Sequence, residues 1–288
     1  MRLLSAELLK LRRRTATYVV LLVLFVLMVL LMGLLATEQQ LMRSLLQFPS
    51  AWATVGDFVF GGLGSMIAVA YAAAIAGADW NWGVLRNVIA RGESRIGYVL
   101  AKGAAVTIVL AIGVAAILLA GAALAFAITS LAGVPPGNPV AASSLEVLGR
   151  QVLFGFPVLL ERAAIGFAVA IILRSQVAGV VVAIVLYVGE AFLTGLLFAA
   201  TVMPRLMEGG LDRLSPQWYQ YLPFAVGEQV RMAGMRGAPG ADLPIGGDFA
   251  ALLMGQVPLA EGLAMVAVYF GLALGLAILR VWREEVVA

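Results

Sequence analysis

The chain has 288 residues, 62% of them hydrophobic and 12% charged, with a net charge of +3 and a mean hydropathy of +1.02. A soluble domain carries about 25% charged residues, so this composition excludes an ordinary water-soluble fold and predicts an integral membrane protein. The sequence has no Cys and no His, which excludes thiol catalysis, disulfides, His-ligated metals and a Ser–His dyad within this chain.

Residues 1–15 are predicted to form an interfacial helix. Leu4, Leu8 and Leu11 share one face, and Arg12, Arg13 and Arg14 follow; an apolar stripe flanked by basic residues lies along a membrane surface. The apolar run that follows is too long for a cleaved signal peptide and has no clean cleavage site behind it. Apolar runs at 16–36, 58–78, 103–131, 148–173, 176–203 and 258–279 can each span, because about twenty helical residues at 1.5 Å cross the hydrocarbon core. Alternating strand patterns are absent, so a barrel is not expected. The predicted fold is an all-α membrane protein, one transmembrane domain over 1–288 with six transmembrane helices.

Between these runs lie connections of different character. The segment 37–57 holds one basic residue, Arg43, and reads as an outside loop, as does 132–146 with Pro135, Pro136, Gly137 and Pro139. Only Arg174 and Ser175 separate the fourth and fifth spans, before Gln176, which predicts a tight helical hairpin. Residues 204–257 form a long loop expected on the extracellular side, with Trp218, Tyr219 and Tyr221 at the outer interface. Basic residues concentrate at the N-terminus, in 79–102, in the hairpin turn and at the C-terminus. The positive-inside rule therefore places both termini in the cytoplasm.

The segment 79–102 reads DWNWGVLRNVIARGESRIGYVLAK. Val84, Leu85, Val88 and Ile89 recur at helical spacing, with Arg86, Asn87 and Arg91 opposite, which predicts a short amphipathic helix at the membrane surface. Its four basic residues outnumber its two acidic ones, which puts it on the cytoplasmic side. The succession Asp79, Gly83-Val84-Leu85, Val88-Ile89, Ser94-Arg95 and Lys102 resembles the permease subunits of type 2 ABC (ATP-binding cassette) exporters. It has Asp79 where that family usually has Glu, Val84 where it has Thr and Glu93 where it has an aliphatic residue. Fainter echoes are Glu7-Leu8-Leu9-Lys10-Leu11 at the N-terminus and Gly166-Phe167-Ala168 through Arg174-Ser175.

The resemblance implies that Asp79, Gly83, Val84, Leu85, Arg86, Val88, Ile89, Arg91, Ser94 and Arg95 form a coupling segment that docks an ATPase. It further implies two ATPase copies carrying ATP and Mg, a second permease half (a copy or a similar chain), and short helices capping the pathway between spans five and six. No G-x-x-x-x-G-K-[ST] motif is present and the only lysines are Lys10 and Lys102, so no ATP hydrolysis, cofactor or metal is expected in this chain. Lipid is an expected partner and nucleic acid is not.

Three charges, Glu161, Arg162 and Glu190, fall inside predicted spans, where an ionisable residue is costly unless paired or wet. Arg162 and Glu190 lie at similar depth, roughly 20 Å from the hairpin turn, so a pair between them is open. Glu161 points about 100° away around the helix and needs another partner or water. These residues read either as a structural ion pair or as the lining of a substrate or proton route. Three functions stand: the permease subunit of an exporter, a secondary transporter or channel using Glu161, Arg162 and Glu190, or a membrane anchor or sensor that docks an ATPase. The excess of Arg over Lys, with abundant Ala and Gly, points to a bacterial plasma membrane.

Overall fold

The computed structural model describes residues 2–81, 94–202, 204, 216–238 and 257–283; of these described residues 87% are helical and none is in a strand. Among the described residues six helical segments are long and apolar enough to cross a membrane. Helix α1 (Arg2–Arg13) leads into α2 (Thr15–Leu35), and α3 (Gln39–Leu45) and α4 (Ser50–Phe60) precede α5 (Gly62–Asn81). Then come α6 (Arg95–Leu131), α7 (Ala142–Leu173), α8 (Gln176–Thr201), a 3₁₀ turn (Trp218–Tyr221), α9 (Pro223–Met235) and α10 (Leu259–Trp282). We call the end that holds α1 basal and the other distal.

Helix α7 is the central element, packed by α5, α10, α4, α9 and α8. Its burial contrasts with α2 and α8, most of whose apolar side chains face outward, as a lipid-facing helix must in a solvent as apolar as its own side chains. The basal core joins Leu11, Ala73, Ile75, Tyr98, Val99, Phe167 and Ile171. Leu4 and Leu8 pack against it, so the predicted stripe of α1 turns into the bundle. An apolar crevice between α2, α5, α6 and α7 is lined by Leu21, Leu24, Ile67, Val109 and Ile117. The Thr17 and Tyr71 hydroxyls, 3.0 Å apart, lie at its edge.

Several boundaries differ from those expected. The second span begins at Ser50 rather than 58, and residues 37–57 carry α3 and α4 instead of a plain loop. The proline-rich connection folds onto this region: Phe48 N donates to Pro136 O at 2.9 Å and Trp52 Nε1 to Pro139 O at 3.1 Å. Helix α6 starts at Arg95 because Ser94 caps it, its Oγ accepting from Gly97 N at 2.8 Å. At 37 residues, or roughly 55 Å, it exceeds the membrane core by a wide margin. Helix α7 runs unbroken through Pro157. Ser175 caps α8, giving the tight hairpin its second arm.

Two departures change the interior. The second span is interrupted at Gly61, whose extended backbone (φ −87°, ψ −153°) ends α4. A side chain at Gly64 would put its Cβ 2.1 Å from the Val59 carbonyl oxygen, so only glycine permits the chain to restart so close to the turn it has left. The other departure is α9, which belongs to the stretch read as an extracellular loop. Phe224, Val226, Gly227, Val230, Arg231, Gly234 and Met235 are all buried, and the helix is inserted against α7, α10 and α8. Its N-terminal end sits level with Arg162 and Glu190, and its C-terminal end reaches Arg150, whose Nη1 donates to Arg236 O at 2.9 Å.

Candidate functional site

The two interrupted elements meet at Arg162. The residue is 1% exposed and lies eleven residues before the end of α7, roughly 17 Å above the basal turn. Nη1 donates to Phe60 O at 3.0 Å and to Ser65 Oγ at 2.6 Å; Nη2 donates to Phe224 O at 3.1 Å and to Glu228 Oε2 at 3.2 Å. Its guanidinium carbon lies 5.7 Å from the centre of the Tyr187 ring. Interrupted backbone at such depth must find partners inside the protein. Here the Phe60 carbonyl, left at the Gly61 break, takes both the Ser65 hydroxyl at 2.7 Å and Arg162.

Glu190 does not pair with Arg162 as the matched depths suggested. Its Oε1 accepts from Phe224 N at 2.7 Å and Ala225 N at 2.8 Å, so it caps the first turn of α9. A helix N-terminus offers unpaired N–H groups and a positive dipole end, both of which favour a carboxylate. The pairing went elsewhere because the sequence placed Glu228 in a loop, whereas α9 brings it to Arg162. Replacing Glu190 with Ala therefore orphans two part-buried donors of α9. We expect a loss of about 1–3 kcal/mol, read as a lower midpoint of thermal unfolding, with Glu190→Gln retaining most of the stability because its amide oxygen still accepts.

Above Arg162 the network continues. Arg231 Nη2 meets Glu228 Oε1 at 2.5 Å, and Arg231 Nη1 bonds Asp57 Oδ1, which also accepts from Gln151 Nε2 at 3.2 Å. The Glu228 carboxylate is thus held between the Arg231 and Arg162 guanidiniums. Asp57, expected at a span end, thus ties α4 to α9 and α7. Sequence reasoning missed Glu228 and Arg231. The available signal was Pro223 at a helix start, Val226 and Val230 at i, i+4, and a Glu–Arg pair at i, i+3.

At the basal end, Asp79 and Lys102 bond each other. The Asp79 carboxylate accepts from Lys102 Nζ and from Tyr98 OH, and Lys102 is 3% exposed. The acid that opens the motif and the lysine that closes it thus form one buried clamp across the mouth of residues 80–101. Helix α1 packs on α6 beside it, with Glu7 buried and held by Lys10 at 2.5 Å. Ser94 caps α6, and Arg95 Nη1 donates to Trp282 O at 3.0 Å, fastening α6 to the end of α10. The other coupling residues named above, Gly83, Val84, Leu85, Arg86, Val88, Ile89 and Arg91, lie outside the described residues.

The bundle therefore offers fixed internal charges at mid-depth and a locked basal mouth. Among the described residues no group of three or more acidic side chains is arranged to hold a metal ion. A search of curated proteins finds no match to the chain. The sequence profile described as ABC-2 family transporter protein matches residues 3–190, a range that takes in α1 through most of α8, with Arg162, Glu190 and both partners of the basal clamp. The chain belongs to the ABC-2 transporter family, as a multi-pass permease whose family associates with an ABC ATPase.

Proposed function

We propose that this chain is the transmembrane permease subunit of an ATP-driven exporter. A separate ATPase dimer, holding ATP and Mg, closes on ATP binding. Its motion enters through the segment 79–102 and through α1, and the bundle changes its packing to move substrate outward. The pathway is completed by a second permease half. The chain itself hydrolyses nothing. Both termini face the cytoplasm of a bacterial cell and the bundle lies in the plasma membrane.

The observation that carries this reading is the Asp79–Lys102 clamp. A segment meant to receive a push must be rigidly joined to the helices it moves, and this clamp fixes the end of α5 to the start of α6. The charge network supports the same reading over that of a secondary transporter. Arg162, Glu190, Glu228 and Arg231 are spent on one another and on backbone groups, as in a structural lock between interrupted helices.

The test is purification of the tagged chain from its native membranes in a gentle detergent, followed by mass spectrometry. A P-loop ATPase is expected near one-to-one with the chain, and is expected to be lost when residues 83–91 are scrambled. Recovery of the chain alone, as a stable oligomer, would overturn the proposal.

A further inference from the structure

Glu161 is the one acid of the core network that no hydrogen bond explains. It is 0% exposed, and among the described residues neither of its carboxyl oxygens has a hydrogen-bond partner. Arg162 Nε, on the next residue, is likewise buried without one. Both face the same spot on α9. The point where a Cβ on Gly227 would sit lies 3.5 Å from Glu161 Oε2 and 3.6 Å from Arg162 Nε. Glu161 thus lies under the seat of α9.

Among the described residues the cations around it make their hydrogen bonds to other groups. Arg162 commits both Nη groups to Phe60, Ser65, Phe224 and Glu228. Arg231 is committed to Glu228 and Asp57. The other three acids of the network are provided for: Glu190 by two α9 amides, Glu228 by two guanidiniums, Asp57 by Arg231 and Gln151. The ionisable groups facing Glu161 are Arg162 on its own helix, Glu190 on α8 and Tyr269 on α10; α9 presents Gly227 to it, and α4 and α5 contribute Asp57 and Ser65 to the network beyond. An ionised carboxylate buried without donors costs several kcal/mol or more, whereas a neutral acid costs far less, and such groups neutralise instead.

We propose that Glu161 is a proton-binding site, filled while α9 is seated on α7. Unseating α9 uncovers the Gly227 face and admits water, so seating the half-helix and taking up a proton are one event. The inference needs no ATPase and stands apart from the export reading.

Infrared spectroscopy of the full chain in lipid nanodiscs at neutral pH tests it. A band from a protonated carboxylic acid is expected in the parent, is expected to vanish in Glu161→Gln, and is expected to persist in Glu190→Gln. In deuterated buffer that band is expected to shift slowly, because exchange waits for α9 to open. Glu161→Gln is also expected to unfold at the parent temperature, since an amide replaces a neutral acid without changing charge or size. Absence of the band, its survival in Glu161→Gln, an immediate isotope shift, or a Glu161→Gln chain that does not fold would each overturn the proposal.

Discussion

Replacing Arg162 with Ala is expected to lower the stability of the bundle by about 3–5 kcal/mol, because removing one partner of a buried ion pair leaves an uncompensated charge. The effect is large because Arg162 holds more than an ion pair. Its loss strips Glu228 of one guanidinium and leaves the Phe224 carbonyl and Ser65 hydroxyl with one partner fewer. The Phe60 carbonyl keeps only Ser65. Both interrupted segments lose their shared anchor at once. Arg162→Lys keeps the charge, but an ammonium is a point donor on a narrower stem and cannot span Phe60 on one side and Phe224 on the other as the planar fork does; we expect an intermediate loss. Denaturant-driven unfolding of the purified chain in mixed micelles checks this. An Arg162→Ala midpoint within error of the parent would mean that the network is not what joins α4, α5 and α9 to α7.

The second large effect concerns the basal mouth. Asp79→Ala leaves the Lys102 ammonium buried at 3% exposure with, among the described residues, only the Tyr98 hydroxyl, 3.3 Å away, as a hydrogen-bond partner. A loss of about 3–5 kcal/mol is again the expectation for a broken buried pair. The double change Asp79→Ala with Lys102→Met removes both charges. It is expected to recover a good part of that loss, because charge-free replacements of a buried pair are often near neutral. The readout is a double-mutant cycle on the same unfolding midpoints, which isolates the coupling between two residues in contact. Strict additivity of the two single changes would show that Asp79 and Lys102 do not act as a pair, and with that the mechanical role assigned to the clamp would fall.

The segments on which these predictions rest were legible to different degrees. The pairing of Asp79 with Lys102 was present in the sequence as the first and last residues of one motif, but their contact depends on α5 and α6 standing side by side at the basal end. Arg162 was visible as a costly residue at mid-depth. Its partner was misread, since Glu190 matched it in depth while Glu228 lay 66 residues away in a stretch too polar to be read as buried. Gly61, Gly62 and Gly64 surround the break in the second span, and a glycine run gives no sign of whether a helix will pass through it or stop.

The sequence by itself determined the membrane class, the number and order of the crossing helices and the hairpin at Arg174–Ser175. These follow from local physics. A lipid-crossing segment must satisfy its own backbone hydrogen bonds, so a long apolar run has the helix as its available form, and caps such as Ser94 and Ser175 act over three residues. Only the tertiary structure decided where the second span breaks, that α9 enters the bundle, and which charges meet. A helix carrying Glu228 and Arg231 can be buried only because Arg162 and Asp57 are there to neutralise them. That compensation joins residues from 66 to 174 positions apart, and no property of either segment alone contains it.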